Sequence, residues 1–201
     1  MPRKTNKVQG NKTVLIVVEG QTEFIYFSEM NIFERIPGIT ILPKTSSHSD
    51  IKHVLEMALK ECDSGVYDSI WCVFDKDTFE QDNIDGKMAR LLNKVLSKGI
   101  MVADSMPSFE VWFLSHYQRP RFYYNDQDAV IEELRKYIVD YSKDRKWLER
   151  KNLYRLLKQN QSIAMENCST LEELIKDYDE RCTYCNVNKL VLEVLGEKRS
   201  S

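Results

Sequence analysis

Short unbroken apolar runs alternate with helical stripes up to about residue 118, and beyond it only the helical rhythm continues. VLIVV at 14–18 is a β-branched run of the kind found in a parallel strand buried on both faces, and it closes at Glu19-Gly20. Thr22 offers an N-cap for a following helix whose stripe is Phe24, Phe27 and Met30. Pro37-Gly38 breaks that helix, and ITIL at 39–42 reads as a second strand. A helix over 51–62 carries Val54, Leu55, Ala58 and Leu59, and the run at 69–74 is a third strand leading into Asp75-Lys76-Asp77. Met88, Leu91, Leu92 and Val95 predict a helix over 82–97 with Gly99 at its stop, followed by a fourth strand over 100–103 that ends at Asp104. The next helix takes Pro107 in its first turn, where a missing N–H costs nothing, and places Glu110 one turn in. After a polar, aromatic linker, helices are predicted at 127–142, 145–160, 169–181 and 186–196.

Strands alternating with helices four times predict a three-layer α/β core with a mostly parallel four-stranded sheet over residues 13–118. A polar, basic N-terminus (1–12) precedes it, and a helical extension (119–201) is expected to pack on it. In such a sheet the ligand crevice lies beyond the carboxyl ends of the strands, where the winding reverses. Glu19, Asp75, Asp77 and Asp104 all fall at that edge. In an extended strand Asp75 and Asp77 point the same way and Lys76 the other. Two carboxylates held close repel unless a cation or a shared proton lies between them. An isolated D-x-D suits either a solvated acidic turn or a divalent-metal site, and the second acidic strand end, at Glu19, is what favours the site. Glu110 reads either as an acid complementing a helix start or as a metal ligand. His116 falls on a different helical face from Glu110 and reads as a packed or surface histidine.

Composition narrows the class without choosing a function. A formal charge of −2 over 201 residues means that any nucleic-acid surface is local. No apolar stretch is long enough for a membrane span and no signal-type segment follows the basic start, so a cytoplasmic protein is expected. The cysteines number five; Cys62 and Cys72 suit buried thiols, and the lone Cys182-x-x-Cys185 suits a structural role better than zinc. Lys143, Arg145, Lys146, Arg150, Lys151, Arg155 and Lys158, interleaved with Trp147 and Tyr154, either form a solvated helix face or follow a nucleic-acid backbone while the rings stack on bases.

VLIVVEGQTEFIYF at 14–27, SIWCVFDKD at 69–77 and SMPSFEVWFLSHY at 105–117 resemble the three signature blocks of the RloB-like family. That family is a Toprim-related group of bacterial restriction and abortive-infection (phage-defence) loci. Tyr141-Ser142-Lys143 and the final CNVNKLVLEVL resemble its less distinctive helical tail. The resemblance implies a Toprim-like core, the metal-binding fold of topoisomerases, primases and OLD-family nucleases. It maps Glu19 onto the Toprim glutamate, Asp75 and Asp77 onto the D-x-D pair, and Glu110 onto an F-E-x-W block. Gln21 stands where the family usually has a charged residue, and Met106 where it commonly has asparagine, which removes an amide near the implied site.

The implied chemistry is phosphodiester hydrolysis with Mg²⁺ or Mn²⁺. Asp75 and Asp77 are the expected ligands, Glu19 a ligand or base, Glu23 a candidate for an outer or second-metal position, and Glu110 a further catalytic member. The competing expectation is a non-catalytic partner or sensor subunit of a defence complex with an AAA- or ABC-type ATPase encoded nearby, since the chain has no G-x-x-x-x-G-K-[ST] loop of its own. A small-molecule phosphatase or receiver-like domain phosphorylated on Asp75 fits the topology but makes less use of the other acids.

Overall fold

The computed structural model describes residues 12–42, 50–77, 79, 86–176 and 181–196. Residues 1–11, and residues 82–85 of the helix expected over 82–97, lie outside that set. Four strands, β1 (Val14–Val18), β2 (Ile39–Leu42), β3 (Ser69–Val73) and β4 (Met101–Val102), form one parallel sheet in the order β2-β1-β3-β4. Val14 pairs with Ile39 on one side and Ser69 on the other. With neighbours on both edges and helices on both faces, β1 has no solvent side, so all five of its residues are buried and the run does not alternate.

Side-chain parity divides the core. Leu15, Val17, Ile70 and Cys72 pack with α2 (Ile51–Ser64) and α3 (Lys87–Ser97). Val14, Ile16, Val18, Trp71 and Val73 face α1 (Gln21–Glu34) and the helices after residue 118. The result is a helix-sheet-helix α/β core with a helical C-terminal part, consistent with a Toprim-like fold. Those later elements are β5 (Ser105–Met106), α4 (Glu110–Ser115), α5 (Gln127–Leu134), α6 (Arg145–Lys151), α7 (Leu153–Leu157), a 3-10 turn (Lys158–Asn160), α8 (Gln161–Ile175), β6 (Tyr184–Cys185) and α9 (Val187–Gly196). Trp112, Leu148, Leu157, Ala164 and Val194 belong to the same buried cluster as β1, so segments on both sides of residue 118 share one apolar core. Among the described residues no helix is long and apolar enough to cross a membrane.

Several boundaries differ from the sequence expectation for identifiable reasons. Gly20, not Thr22, is the N-cap of α1, and Thr22 is buried in the first turn. β3 ends at Val73, and Lys76 and Asp77 already have helical geometry, so the strand alternation expected to align Asp75 with Asp77 does not extend that far. Pro107 follows a cis peptide bond outside the helix, and α4 begins at Glu110, which is its first residue rather than one turn in. A strand also exists beyond residue 118: β6 pairs antiparallel with β5, Ser105 opposite Cys185, and two residues are too few to produce a readable periodicity. The expected helix over 145–160 is interrupted at Asn152, whose φ of 53° is tolerated by Asn and whose side chain caps α7 by accepting from the Arg155 N–H at 3.3 Å. The helix placed at 127–142 stops at Leu134. The one placed at 169–181 spans Gln161–Ile175 instead, burying Ala164, Cys168 and Leu171 at helical spacing.

Candidate functional site

β2 lies on one side of β1 while β3 and β4 lie on the other, so the winding reverses between β1 and β3. An open parallel sheet leaves its crevice at the carboxyl ends of those two strands. Both ends are acidic. The Glu19 N–H donates to the Val73 carbonyl at 3.0 Å, and the Asp75 N–H donates to Glu19 Oε2 at 3.1 Å. Asp75 bridges to Ser105 in parallel fashion, and its Oδ1 accepts the Phe109 N–H at 2.7 Å. Backbone amides thus hold Glu19, Asp75 and the approach to α4 together.

Glu23 enters from the first turn of α1. Its carboxylate is folded back beside its own N–H and that of Gly20, which favour its charged form. The space for this fold-back exists because residue 20 has no side chain: a Cβ there would lie 2.7 Å from Glu23 Oε2. Glu110 completes the group from the start of α4 with no solvent exposure. Its Oε1 accepts the Tyr141 O–H at 2.8 Å and lies 3.3 Å from Lys143 Nζ. Its Oε2 has no hydrogen-bond partner among the described residues.

These acids perturb one another. Burial raises the Glu23 pKa to about 7, with the Glu110 charge adding to the rise and hydrogen bonds and Lys143 opposing it. Asp75 is raised well above the usual aspartate range, first by burial and then by Glu23 and Glu110, with Lys143 pulling the other way. Burial alone would depress Lys143, but Glu110, Asp75 and Glu23 together hold it above the ordinary lysine value. Tyr141 is kept protonated by burial and by the Glu110 carboxylate, which accepts its hydrogen bond. The arrangement sets three carboxyl groups, Glu23, Asp75 and Glu110, around the Lys143 ammonium with Glu19 beside Asp75, and protons take up part of the negative charge.

The other candidate residues are placed differently. Asp77 pairs with Arg181 and is partly exposed. Asp104 takes no part in the cluster: its carboxylate accepts from Tyr184 O–H and Asn186 Nδ2, each at 2.8 Å, which fixes β6 against β5. His116 is buried with Nδ1 2.8 Å from the Trp112 carbonyl, and burial pushes its pKa down to about 4. Met106 is buried, so the position where the family commonly has asparagine lies in the core.

The basic segment separates into distinct parts. Lys143 belongs to the acidic site, Arg145 pairs with Glu149 at 2.7 Å, and Lys151 pairs with Asp140 at 2.8 Å. Lys158 pairs with Glu34, while Lys146, Arg150 and Arg155 are exposed. Trp147 and Tyr154 are buried in the core, so neither ring is available to stack on a base. Tyr141 is the site member that sequence reasoning did not assign, and Lys143, expected on a solvated or nucleic-acid-binding face, stands beside the acids instead. Tyr141 and Glu110 are thirty-one residues apart, and no local pattern links them.

Among the described residues no group of three or more His, Cys, Asp or Glu side chains is arranged to hold a metal ion directly. The donor chemistry nevertheless suits a hard divalent cation, because the cluster offers carboxylate oxygens only and Glu110 Oε2 is buried without a partner. No curated protein and no solved structure matches the chain. A family model described as RloB-like protein matches residues 14–194, which is most of its length. By that match over the strands, the acidic cluster and the C-terminal helices alike, the chain belongs to the RloB-like protein family.

Proposed function

We propose that the chain is a Mg²⁺- or Mn²⁺-dependent hydrolase of phosphodiester bonds, a nuclease-type enzyme of a bacterial phage-defence (abortive-infection) system. The observation that carries the reading is the crowding of acids at the sheet's switch point: Glu23, Asp75 and Glu110 all act on the Lys143 ammonium, and Glu19 lies beside Asp75. A protein does not hold that many carboxyl groups together without a cation or protons to balance them. Asp75, Glu23 and Glu110 would hold the ion, with Glu19 as a ligand or as the group that takes a proton from the attacking water. Asp77 is partly exposed and pairs with Arg181. The bound ion would supply charge neutralisation at the phosphoryl oxygens. Lys143, whose raised pKa keeps it charged, is suited to contact a substrate phosphate at the edge of the cluster. Tyr141 orients Glu110 through its O–H. The family's association with defence loci supports the biological setting.

The test is cleavage of DNA and RNA with and without Mg²⁺ or Mn²⁺, comparing the wild type with Asp75→Asn. Asparagine retains an acceptor for the Phe109 N–H, so the variant should fold and lose metal-dependent cleavage. Unchanged cleavage in that variant rejects the site.

One observation favours a second reading, a non-catalytic subunit of an ATPase-containing defence complex: Lys143 already supplies a cation to Glu110, Asp75 and Glu23. On that reading the cluster is a charge-balanced structural element, metal addition leaves its stability unchanged, and the protein is retained on the product of a neighbouring ATPase gene.

A further inference from the structure

Among the described residues four aromatic side chains are exposed, Phe33, Phe122, Tyr123 and Tyr137, and three of them fall between positions 122 and 137. Phe33 packs edge-on against Tyr154 at 5.8 Å, and Tyr137 stacks on Tyr117 at 4.8 Å. Tyr123, 48 % exposed, makes neither a ring contact nor a hydrogen bond with a described residue. The cause is local. Its neighbour Tyr124 is buried, and the Tyr124 Oη accepts the Arg121 N–H at 3.3 Å, so one ring of the pair enters the protein and the next stays in water.

The loop that carries Tyr123 is pinned at both ends to the rim of the acidic site. At one end the Phe122 carbonyl accepts the Thr183 N–H at 2.9 Å, and Arg181, two residues before Thr183, pairs with Asp77. At the other end Asp126 caps α5 by accepting the Ala129 N–H at 2.9 Å, and Gln127 Oε1 in that first turn accepts from Lys143 Nζ at 3.0 Å. The same ammonium is 3.3 Å from Glu110 Oε1. Tyr123 is one residue from the first anchor and four from the second, and four residues span at most roughly 15 Å. Cations therefore stand at both ends of the loop, and Arg119 just before it is exposed and forms no ion pair with a described residue. An open ring between cations is what a single strand needs: the ring takes the face of an unpaired base while the cations take its phosphates. Within a duplex, base faces are covered by their own neighbours.

We infer that Tyr123 is the platform on which an unpaired base of a single-stranded nucleic acid stacks, with the strand's backbone running between Lys143 and Arg181 past the acidic cluster. This rests on the nucleic-acid reading of the site given above and narrows the substrate to a strand with unpaired bases. Tyr123 supplies the stacking ring that Trp147 and Tyr154, both in the core, do not. Every base has a π-face, so the contact tolerates sequence and selects for strand state. The ring and not the hydroxyl makes the contact, so phenylalanine serves equally at this position.

The test is fluorescence anisotropy of the full chain with a labelled single-stranded oligonucleotide of mixed sequence, made as DNA and as RNA, and with the same sequence as a duplex. Ca²⁺ replaces Mg²⁺ to occupy carboxylate oxygens, and the probe is checked for intact length afterwards. Tyr123→Ala should weaken single-strand binding by about 5- to 150-fold, the loss of one stacked base, while Tyr123→Phe binds as the wild type does. The duplex should bind more weakly and not respond to Tyr123→Ala. Phe33→Ala is the control: Phe33 is 43 % exposed but lies ten residues beyond Glu23 on α1, about 15 Å along the helix, and its loss should leave binding unchanged. Unchanged single-strand binding in Tyr123→Ala, an equal loss in Phe33→Ala, a preference for the duplex, or no binding of any probe overturns the proposal. Ring-dependent binding without metal-dependent cleavage rejects the hydrolase and leaves this inference standing.

Discussion

Lys143 Nζ lies 3.3 Å from Oε1 of Glu110, a carboxylate with no exposure, and it is the cation that offsets Asp75 and Glu23 as well. Removing it in Lys143→Met leaves these acids without a counter-charge. Breaking a fully buried pair costs about 3–5 kcal/mol, but 38 % of the Lys143 side chain is exposed and water screens part of the effect. The expected loss is roughly 1–3 kcal/mol in chelator at neutral pH, read by urea denaturation. If the cluster binds a divalent ion, Mg²⁺ restores more stability to the variant than to the wild type. An equal response in both would place the ion elsewhere.

Glu23 makes stability pH-dependent in a direction that can be stated. Its pKa rises from 4.5 to about 7 on folding, so between those values the folded state holds a proton that the unfolded state has released. The contribution is fully present below pH 4.5 and is lost as the pH rises through about 7. At most roughly 3.5 kcal/mol is involved, since each pKa unit is worth about 1.4 kcal/mol. Asp75 shifts in the same direction. In chelator, unfolding curves across this range should show falling stability, and Glu23→Gln should flatten the slope. A wild-type slope of the opposite sign would contradict the burial assigned to Glu23.

The parts of this architecture legible in sequence are those whose cause is local. VLIVV and SIWCV are buried on both faces and therefore read as uninterrupted apolar runs, and Glu19 and Asp75 follow them closely. Boundaries are misread where a short-range feature competes with the pattern: Asn152 divides an otherwise continuous stripe, and the helical turn at Lys76 and Asp77 ends the strand early. Long-range partners leave no trace. Arg181 meets Asp77 across 104 positions, and the basic run around Lys143 looks like a surface because the sequence does not show that its ammonium turns inward while Trp147 and Tyr154 enter the core.

Gly20→Ala separates site geometry from fold. Gly20 has ordinary extended backbone, so alanine meets no conformational penalty there. The added methyl would lie 2.7 Å from Glu23 Oε2, and the flexible carboxylate rather than the backbone must move. The expected outcome is a stability change within about 1 kcal/mol, a lowered Glu23 pKa as it leaves its buried position, and weaker metal-dependent stabilisation. NMR titration of the Glu23 carboxyl carbon reads the shift directly; an unchanged titration would mean that the fold-back does not need residue 20 to be glycine.

Arg150 and Arg155 are exposed on α6 and α7, and neither forms an ion pair with a described residue. Lys151, fixed to Asp140, serves as the internal control. If a single-stranded substrate runs along this face, Arg150→Ala with Arg155→Ala should reduce the slope of log affinity against log salt by about 0.7 for each phosphate no longer neutralised, while Lys151→Ala leaves it nearly unchanged. Trp147→Ala should behave differently. The ring is in the core and its Nε1–H donates to Asp140 Oδ2 at 3.2 Å, so truncation should cost about 3–5 kcal/mol of stability. Any binding defect in that variant should follow its unfolded fraction and not the salt dependence. An unaltered salt slope in the double arginine variant would remove this face from the substrate path and leave the edge of the acidic cluster at Lys143 as the place where a phosphate is met.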